Sequence, residues 1–176
     1  MVKEFENKKE WALIIGGSTG LGLASAKKLA KHGMNICIIH RNSRSQLDQI
    51  EKDFKEIRHN SVAFISYNID AFNSEKRAEL IENLKKELEG GKIKTLVHSV
   101  AKGNLKPMVS DSIPMLETDD FQLTIQAMGI SLYDWVKAIF EAKIFSEDAR
   151  VVSFTSAVSY THLRAHETPE HLGWSD

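Results

Sequence analysis

The chain has 176 residues, of which 42% are hydrophobic and 27% are charged, a composition typical of one globular domain. The formal net charge of −1 argues against a nucleic-acid or membrane-surface partner. No apolar run is long enough to cross a bilayer, and the first ten residues lack the apolar core of a signal peptide. The single cysteine, Cys37, cannot form an internal disulfide, which fits a reducing compartment. We therefore expect a cytoplasmic protein without membrane insertion.

Apolar runs rich in Ile and Val alternate along the chain with segments of helical periodicity. Strands are predicted at residues 11–16, 35–40, 62–67, 93–99 and 150–156. Helices are predicted at residues 23–33, 43–57, 73–90 and about 119–143. Strands that are apolar on both faces belong to parallel sheets covered by helices on both sides. With right-handed crossovers, the predicted fold is therefore an α/β doubly wound parallel sheet of the Rossmann type.

The sharpest motif is IIGGSTGLGLASA, which joins the first strand to the first helix. Gly16, Gly20 and Gly22 form a G-x-x-x-G-x-G pattern. One glycine allows a tight turn, one lets the backbone approach a pyrophosphate, and one lets the helix pack on the strand. The helix N-terminus offers N–H groups and partial positive charge to phosphates, and Ser18 and Thr19 add hydroxyl donors. The motif predicts a dinucleotide site; a purely structural turn is the alternative.

The end of the second strand, HRNSRS, bears on which dinucleotide is bound. An acid at this position suits the ribose 2′-hydroxyl of NAD(H), whereas a guanidinium suits the 2′-phosphate of NADP(H). The stretch contains Arg41 and Arg44 and no acid. It therefore favours NADP(H), with NAD(H) as the alternative if both arginines are solvated loop residues.

Taken together, these motifs resemble the N-terminal part of the short-chain dehydrogenase/reductase family. YNIDAFNSE is similar to the aspartate motif that follows the third strand in that family, which implies that Asp70 contacts the adenine amine beside the Ala71 backbone. LVHSVA is similar to the fourth-strand motif. The resemblance implies further cofactor contacts by Leu21, Ser99, Val100 and Ala101.

Two departures from the usual pattern resemble the enoyl-acyl carrier protein reductase branch. His98-Ser99 stands where most members have two asparagines, and Met128 stands where ordinary members have an asparagine in the long helix. This resemblance implies reduction of enoyl-acyl carrier protein in fatty-acid synthesis, with an acyl thioester or acyl carrier protein as substrate. Lys102 and Lys106 are candidates for contact with an acidic carrier, or are simply solvated.

Other interpretations stay open at this point. A 3-oxoacyl or other carbonyl reductase of the same family is one alternative, and a non-catalytic nucleotide-binding module is another. The resemblance also implies a homo-oligomer when the protein is full length, because related proteins often pair the long helix across a dimer. No metal site is predicted.

The last segment departs from the family pattern. The family uses a serine, a tyrosine and a lysine after the fifth strand, and Ser156 matches the serine. Tyr160 follows it by only four residues, and no lysine follows Lys143. Reverse translation of VSYTHLRAHET resembles a transposase-type sequencing adaptor. We therefore predict a truncated dinucleotide-binding domain at residues 1–156, a non-native tail at 157–176, and no activity for the chain as written.

Overall fold

Strands and helices alternate along the chain in a computed structural model, which describes residues 3–6 and 8–154. The strands are β1 (Glu10–Ile15), β2 (Asn35–His40), β3 (Phe64–Asn68), β4 (Lys92–His98) and β5 (Phe145–Ser153). The helices are α1 (Gly20–Lys31), α2 (Leu47–Arg58), α3 (Ser74–Glu87), α4 (Thr118–Ile125) and α5 (Ser131–Glu141). A 3-10 turn, Arg44–Gln46, precedes α2, and a π-helical segment, Gln126–Ile130, joins α4 to α5.

The strands form one five-stranded sheet in the order β3-β2-β1-β4-β5, and every neighbouring pair is parallel. This arrangement confirms the predicted doubly wound fold. The chain moves outward from β1 through β2 to β3, then crosses back to place β4 on the other side of β1. Ligands of such sheets bind outside the carboxyl ends of the strands where this reversal occurs, which here is between β1 and β4.

Each face of the sheet packs against one layer of two helices. On one face, Leu13 and Ile39 lie in a buried cluster with Leu84 of α3 and Trp135 of α5. On the other face, Ile14 and Ile38 pack with residues of α1 and α2, Phe54 among them. Burying each of these large apolar side chains contributes about 1.5–3 kcal/mol to folding. Since β1 and β2 are buried on both faces, they hold the strand ends around the reversal point rigidly.

The residues predicted to begin α3 and to end α1 lie at those helix ends in the structure. The Asn73 side chain accepts a hydrogen bond from the Lys76 N–H at 2.9 Å and so caps α3. Gly33, with φ +89°, follows the end of α1. Within residues 3–6 and 8–154, no helix combines the length and apolar character needed to cross a bilayer.

Two predicted elements differ most from the structure, and α2 begins at Leu47 rather than at residue 43 because a 3-10 turn precedes it. β5 begins at Phe145 rather than Arg150, because Phe145 pairs with Ile93 before a shift in register brings Arg150 opposite Thr95. The predicted long helix is interrupted by the π-helical segment, whose i→i+5 pattern displaces one face of the helix.

Candidate dinucleotide-binding site

The three glycines of the turn after β1 perform three different steric tasks. Gly16 has φ +82°, and a methyl group in place of its hydrogen would lie 2.2 Å from the Ser99 carbonyl oxygen. A methyl group on Gly22 would lie 2.3 Å from the Gly16 carbonyl oxygen. Gly20 has φ +55°, and a methyl group there would meet no protein atom within 4 Å. Gly16 and Gly22 therefore allow close packing of the turn, whereas Gly20 leaves open space above the backbone.

That open space lies at the N-terminus of α1. Thr19 precedes the helix in extended conformation, and its side chain makes no capping hydrogen bond. The first turn of α1 contains no acidic residue. The N–H groups and partial positive charge of this helix end therefore face the turn without a protein anion to satisfy them, which suits a phosphate group.

A cavity of about 280 Å³ extends from this turn across the carboxyl ends of the strands. Four loops line it, those that follow β1, β2, β3 and β4. The predicted cofactor residues that line it are Gly16, Ser18, Thr19, Arg41, Asp70, Ala71, Ser99, Val100 and Ala101. The structure thus brings together side chains that lie far apart in the sequence.

A second cavity adjoins the first on the side of β4 and the long helix. Gly20 and Leu21 line it, together with Met128 and Phe154. Gly22 lines neither cavity, and its packing against Gly16 makes it a structural residue of the turn. Ser156, the predicted catalytic serine, lies outside the described residues, as do Tyr160 and the rest of the tail.

An ion pair between Arg41 and Asp70 lines the first cavity. The Arg41 Nη1 atom lies 2.5 Å from Asp70 Oδ2, and Asp70 Oδ1 accepts the Phe72 N–H at 2.9 Å. Burial acts to raise the pKa of the Asp70 carboxyl, but the Phe72 N–H and the Arg41 guanidinium together hold that pKa below its ordinary value. Asp70 is therefore ionised at neutral pH. Arg44 is exposed in the 3-10 turn and does not line the cavity.

Two asparagines that the sequence did not single out fix the backbone beside Arg41. Asn68 Oδ1 accepts the Asn42 N–H at 2.9 Å, and Asn68 Nδ2 donates to the Asn42 carbonyl at 3.1 Å. His40 Nδ1 lies 2.9 Å from Asn42 Oδ1, and burial lowers the pKa of that imidazole. Asparagine is common in loops, so its presence in the sequence does not predict these bonds. The pairing of β2 with β3 brings Asn68 next to Asn42 and so makes them possible.

At the other end of the site, a buried pair joins β4 to the long helix. His98 Nε2 lies 2.6 Å from Ser131 Oγ, and the Ser131 hydroxyl donates to the Ala127 carbonyl at 2.9 Å. A hydroxyl has one proton, so His98 must donate through Nε2, and burial lowers the pKa of this imidazole. Ser131 follows the π-helical segment directly, and its bond to Ala127 runs along the part of this segment that presents Met128 to the second cavity.

The loop after β4 is tied back to the start of α4. The buried Asp120 carboxylate accepts hydrogen bonds from the Glu117 N–H at 2.9 Å, from Lys106 Nζ at 2.9 Å and from the Asn104 side chain. The Glu117 N–H and these two side chains lower the pKa of Asp120 to about 2. Lys106 is therefore engaged within the chain, and Lys102 lies 5.2 Å from the centre of the Phe72 ring. Both lysines are partly exposed, so contact with an acidic carrier stays a prediction.

The site has the shape and charge for a nicotinamide dinucleotide. It combines an open glycine at an uncapped helix N-terminus, a cavity across the strand ends, and an arginine–aspartate pair that lines this cavity. NADP(H) or NAD(H) fits these residues. Among the residues that the structure describes, no cluster of three or more His, Cys, Asp or Glu side chains could hold a metal ion.

A protein-family model and two curated relatives that match this chain are all dehydrogenases or reductases. The family model described as short chain dehydrogenase matches residues 10–166, which extends past the predicted boundary at 156. The very-long-chain 3-oxoacyl-CoA reductase of Bos taurus is 31% identical over 122 residues, covering 69% of this chain and 37% of that protein. The 17-beta-hydroxysteroid dehydrogenase type 3 of Danio rerio is 29% identical over 120 residues, covering 67% and 35%. The chain thus spans about a third of the length of these curated relatives.

Solved structures share the fold at lower identity. A short-chain dehydrogenase from Burkholderia cenocepacia in complex with NADP has a TM-score of 0.71 and 21% identity, covering 90% of this chain and 59% of that one. An NAD+-bound xylitol dehydrogenase has a TM-score of 0.70 and 22% identity, covering 88% and 56%. Because the family model matches well over half of the sequence, this chain belongs to the short-chain dehydrogenase/reductase family of oxidoreductases.

Proposed function

We propose that this chain forms the nucleotide-binding part of an NADP(H)-dependent reductase that acts on a 3-oxoacyl thioester. The observation that carries the cofactor part of the proposal is the cavity across the strand ends, which is lined by Arg41 and Asp70 and adjoins the open glycine, Gly20. The substrate part rests on relatives such as the very-long-chain 3-oxoacyl-CoA reductase of Bos taurus. This substrate was the alternative interpretation of the sequence.

Each region of the site has a distinct task in this proposal. When bound, the nicotinamide supplies the hydride. The N-terminus of α1 and the open face of Gly20 hold the pyrophosphate, and Asp70 with the Ala71 backbone holds the adenine. The backbone from Ser99 to Ala101 lies between the two cavities and orients the middle of the dinucleotide.

Arg41 supports NADP(H) over NAD(H). Its guanidinium lines the cavity beside the carboxyl end of β2, the position from which a ribose 2′-substituent is reached in this class of fold. A guanidinium donates paired hydrogen bonds to phosphate oxygens and keeps its charge at every physiological pH. A 2′-hydroxyl gains much less from such a partner, and that difference supports the preference.

Enoyl reduction is the second candidate, and particular residues favour it. His98-Ser99 and Met128 are the residues that resemble the enoyl reductases, and His98 and Met128 line the second cavity. In a typical carbonyl reductase of the family the position of Met128 belongs to an asparagine. The thioether offers no comparable donor or acceptor there, so an apolar acyl chain would be the better neighbour.

Several expectations about the whole protein remain proposals. Ser156 is proposed as the family's catalytic serine, and the tyrosine for proton transfer and the lysine that binds the nicotinamide ribose are proposed to lie in a longer protein. Acyl carrier protein as the substrate carrier, homo-oligomerisation of a full-length protein and a cytoplasmic location belong to the same group. So do the boundary at residue 156 and the non-native origin of residues 157–176.

The test is substrate competition on a complete protein that contains this segment. NADPH consumption should be measured with an acetoacetyl thioester and with a crotonyl thioester. We expect kcat/KM to favour the acetoacetyl substrate by about tenfold or more, equivalent to ~1.4 kcal/mol of transition-state binding. A preference for the crotonyl substrate would establish the enoyl alternative. Dinucleotide binding without turnover of either substrate would favour a non-catalytic module.

A further inference from the structure

We propose that Asp70 is a specificity-determining residue of the dinucleotide site, because it competes with the cofactor 2′-phosphate for the guanidinium of Arg41. This inference rests on the proposed function, since it assumes that a nicotinamide dinucleotide occupies the cavity. It adds that the strength of the preference for NADP(H) is set by two residues of opposite charge, and that Asp70 reduces this preference.

The fold places the two side chains within reach of each other. β2 and β3 are parallel neighbours, with His40 opposite Asn68, and the Ile69 N–H donates to the His40 carbonyl at 2.9 Å. Arg41 and Asp70 therefore leave the sheet side by side, and both line the cavity. Because Asn42 is fixed to Asn68 by two hydrogen bonds, the Arg41 backbone has little freedom to move away.

The Asp70 carboxylate has a limited number of well-placed acceptor sites. Its Oδ1 accepts the Phe72 N–H, and its Oδ2 pairs with Arg41. An adenine amine that approaches Asp70 from the cavity would donate to the same carboxylate that holds the guanidinium. The adenine contact and the orientation of Arg41 are therefore coupled through one carboxylate.

The exposure of Arg41 and Asp70 limits how far Asp70 can reduce the preference for NADP(H). The Arg41 side chain is 63% exposed and that of Asp70 is 34% exposed. Ion pairs this exposed are weak, so the guanidinium can exchange one anionic partner for another. A phosphate offers more charge and more acceptor oxygens than a carboxylate. Asp70 should thus reduce the gain from the 2′-phosphate by a small factor without abolishing it.

A ratio of affinities isolates this effect from the adenine contact itself. Adenosine 2′,5′-bisphosphate and adenosine 5′-monophosphate carry the same adenine and differ in the 2′-phosphate. Any loss of the amine contact in an Asp70 variant weakens both ligands equally and cancels in the ratio of their dissociation constants. The ratio therefore reports only on how strongly the site recognises the 2′-phosphate.

The experiment is calorimetric titration of both ligands into the 176-residue chain and its variants. Asp70→Asn keeps an oxygen to accept the Phe72 N–H but removes the charge. We expect the affinity ratio to rise about two- to fivefold, the range expected for release from an exposed ion pair. In an Arg41→Met background, the same Asp70→Asn change should leave the ratio unaltered. Asp70→Ser, whose hydroxyl also accepts an N–H, repeats the test if the asparagine variant does not fold.

Each other outcome has a definite meaning. An unchanged ratio in the Asp70 variants would overturn the competition. An equal rise with and without Arg41 would also overturn it, because the carboxylate would then repel the phosphate directly. If the wild-type chain binds both ligands equally, the proposed NADP(H) preference fails as well. If it binds neither, the dinucleotide site itself is wrong.

Discussion

Arg41 is the residue on which the choice between NADPH and NADH depends in this account. Its guanidinium lines the cavity, whereas Arg44, three residues further along, lies exposed in the 3-10 turn and outside the cavity lining. The sequence stretch HRNSRS offered both arginines without distinguishing them. The hydrogen bonds of Asn42 with His40 and Asn68 shape the loop so that the first arginine faces the site.

Arg41→Glu should shift the cofactor preference from NADPH toward NADH. The change removes the donor to the 2′-phosphate and places a second carboxylate beside Asp70, which repels the phosphate. Hydrogen bonds to charged groups contribute about 1.5–3 kcal/mol, so the ratio of NADPH to NADH affinity should fall by about 10- to 100-fold. The measurement is a pair of titrations, one with each dinucleotide.

Arg44→Glu is the matched control, because it makes the same charge change three residues away. It should alter the ratio by far less than Arg41→Glu. An unchanged preference in the Arg41 variant would show that this residue is not the phosphate contact. A large effect of Arg44→Glu would move the contact to the 3-10 turn.

At the scale of elements, the long helix and β4 act as one unit because a buried polar pair connects them. The His98–Ser131 hydrogen bond lies next to the π-helical segment, and Ser131 is completely buried. π-helical turns cost hydrogen-bond geometry and commonly occur at functional sites. Here the segment presents Met128 to the second cavity, so the position of that side chain depends on the pair.

Ser131→Ala removes a single hydroxyl group but should lower the free energy of unfolding clearly. The substitution leaves the buried His98 Nε2 donor without its partner, and an unsatisfied buried polar group costs about 1–3 kcal/mol. Urea unfolding of the variant and the wild type gives this difference directly. Ser25→Ala is the control, because Ser25 makes the same type of bond to the carbonyl four residues earlier, but at the surface. It should cost no more than a few tenths of a kcal/mol.

Equal stability losses in the two serine variants would contradict this view of the pair. In that case Ser131 would act only through its local helix bond to Ala127, and Met128 would not depend on β4. A loss confined to Ser131→Ala, accompanied by faster amide hydrogen exchange in the π-helical segment, would place the cause at the His98 contact.

The sequence predicts elements well where periodicity and end signals agree. β1 and β2 are buried on both faces, and their unbroken apolar runs identify them without ambiguity. β5 begins earlier than predicted because three consecutive polar residues, Ser146, Glu147 and Asp148, interrupt its apolar pattern, and only the pairing with β4 makes this part a strand. The π-helical segment and the Lys106–Asp120 contact arise from tertiary partners, which no local pattern contains.

The site was predictable to the extent that it depends on the backbone of consecutive residues. The glycine turn carries its chemistry in one short motif, so the sequence located it, and the structure then separated the packing glycines from the open one. Arg41 and Asp70 were each anticipated, but their pairing was not. It depends on β2 and β3 being neighbours, which is a property of the whole sheet.

At the scale of the whole molecule, the described residues contain the loops of the candidate dinucleotide site, and the proposed catalytic serine, Ser156, lies outside them. We predict that the 176-residue chain has no reductase activity, even with its sheet formed. No lysine follows Lys143, and the last tyrosine, Tyr160, lies outside the described residues. Loss of an acid–base group alone lowers the rate by ~100- to 10,000-fold. An NADPH-oxidation assay with acetoacetyl and crotonyl thioesters tests this.

The Tyr160→Phe variant is the companion of that assay. Clear turnover by the wild-type chain that disappears in the phenylalanine variant would identify Tyr160 as a functional proton donor. The interpretation of residues 157–176 as a non-native tail would then be wrong. Absence of turnover in both proteins, with dinucleotide binding retained, agrees with the prediction.

Binding of NADP+ to the 176-residue chain and to two glycine variants tests whether the turn after β1 holds the pyrophosphate. Gly20 and Gly90 both have positive φ, +55° and +79°, and at both positions a methyl group would meet no protein atom within 4 Å. Valine therefore strains the backbone at either position, but only at Gly20 does it occupy the proposed path of the pyrophosphate. We predict binding by the wild type and by folded Gly90→Val, and none by folded Gly20→Val. Wild-type affinity in folded Gly20→Val would contradict the account.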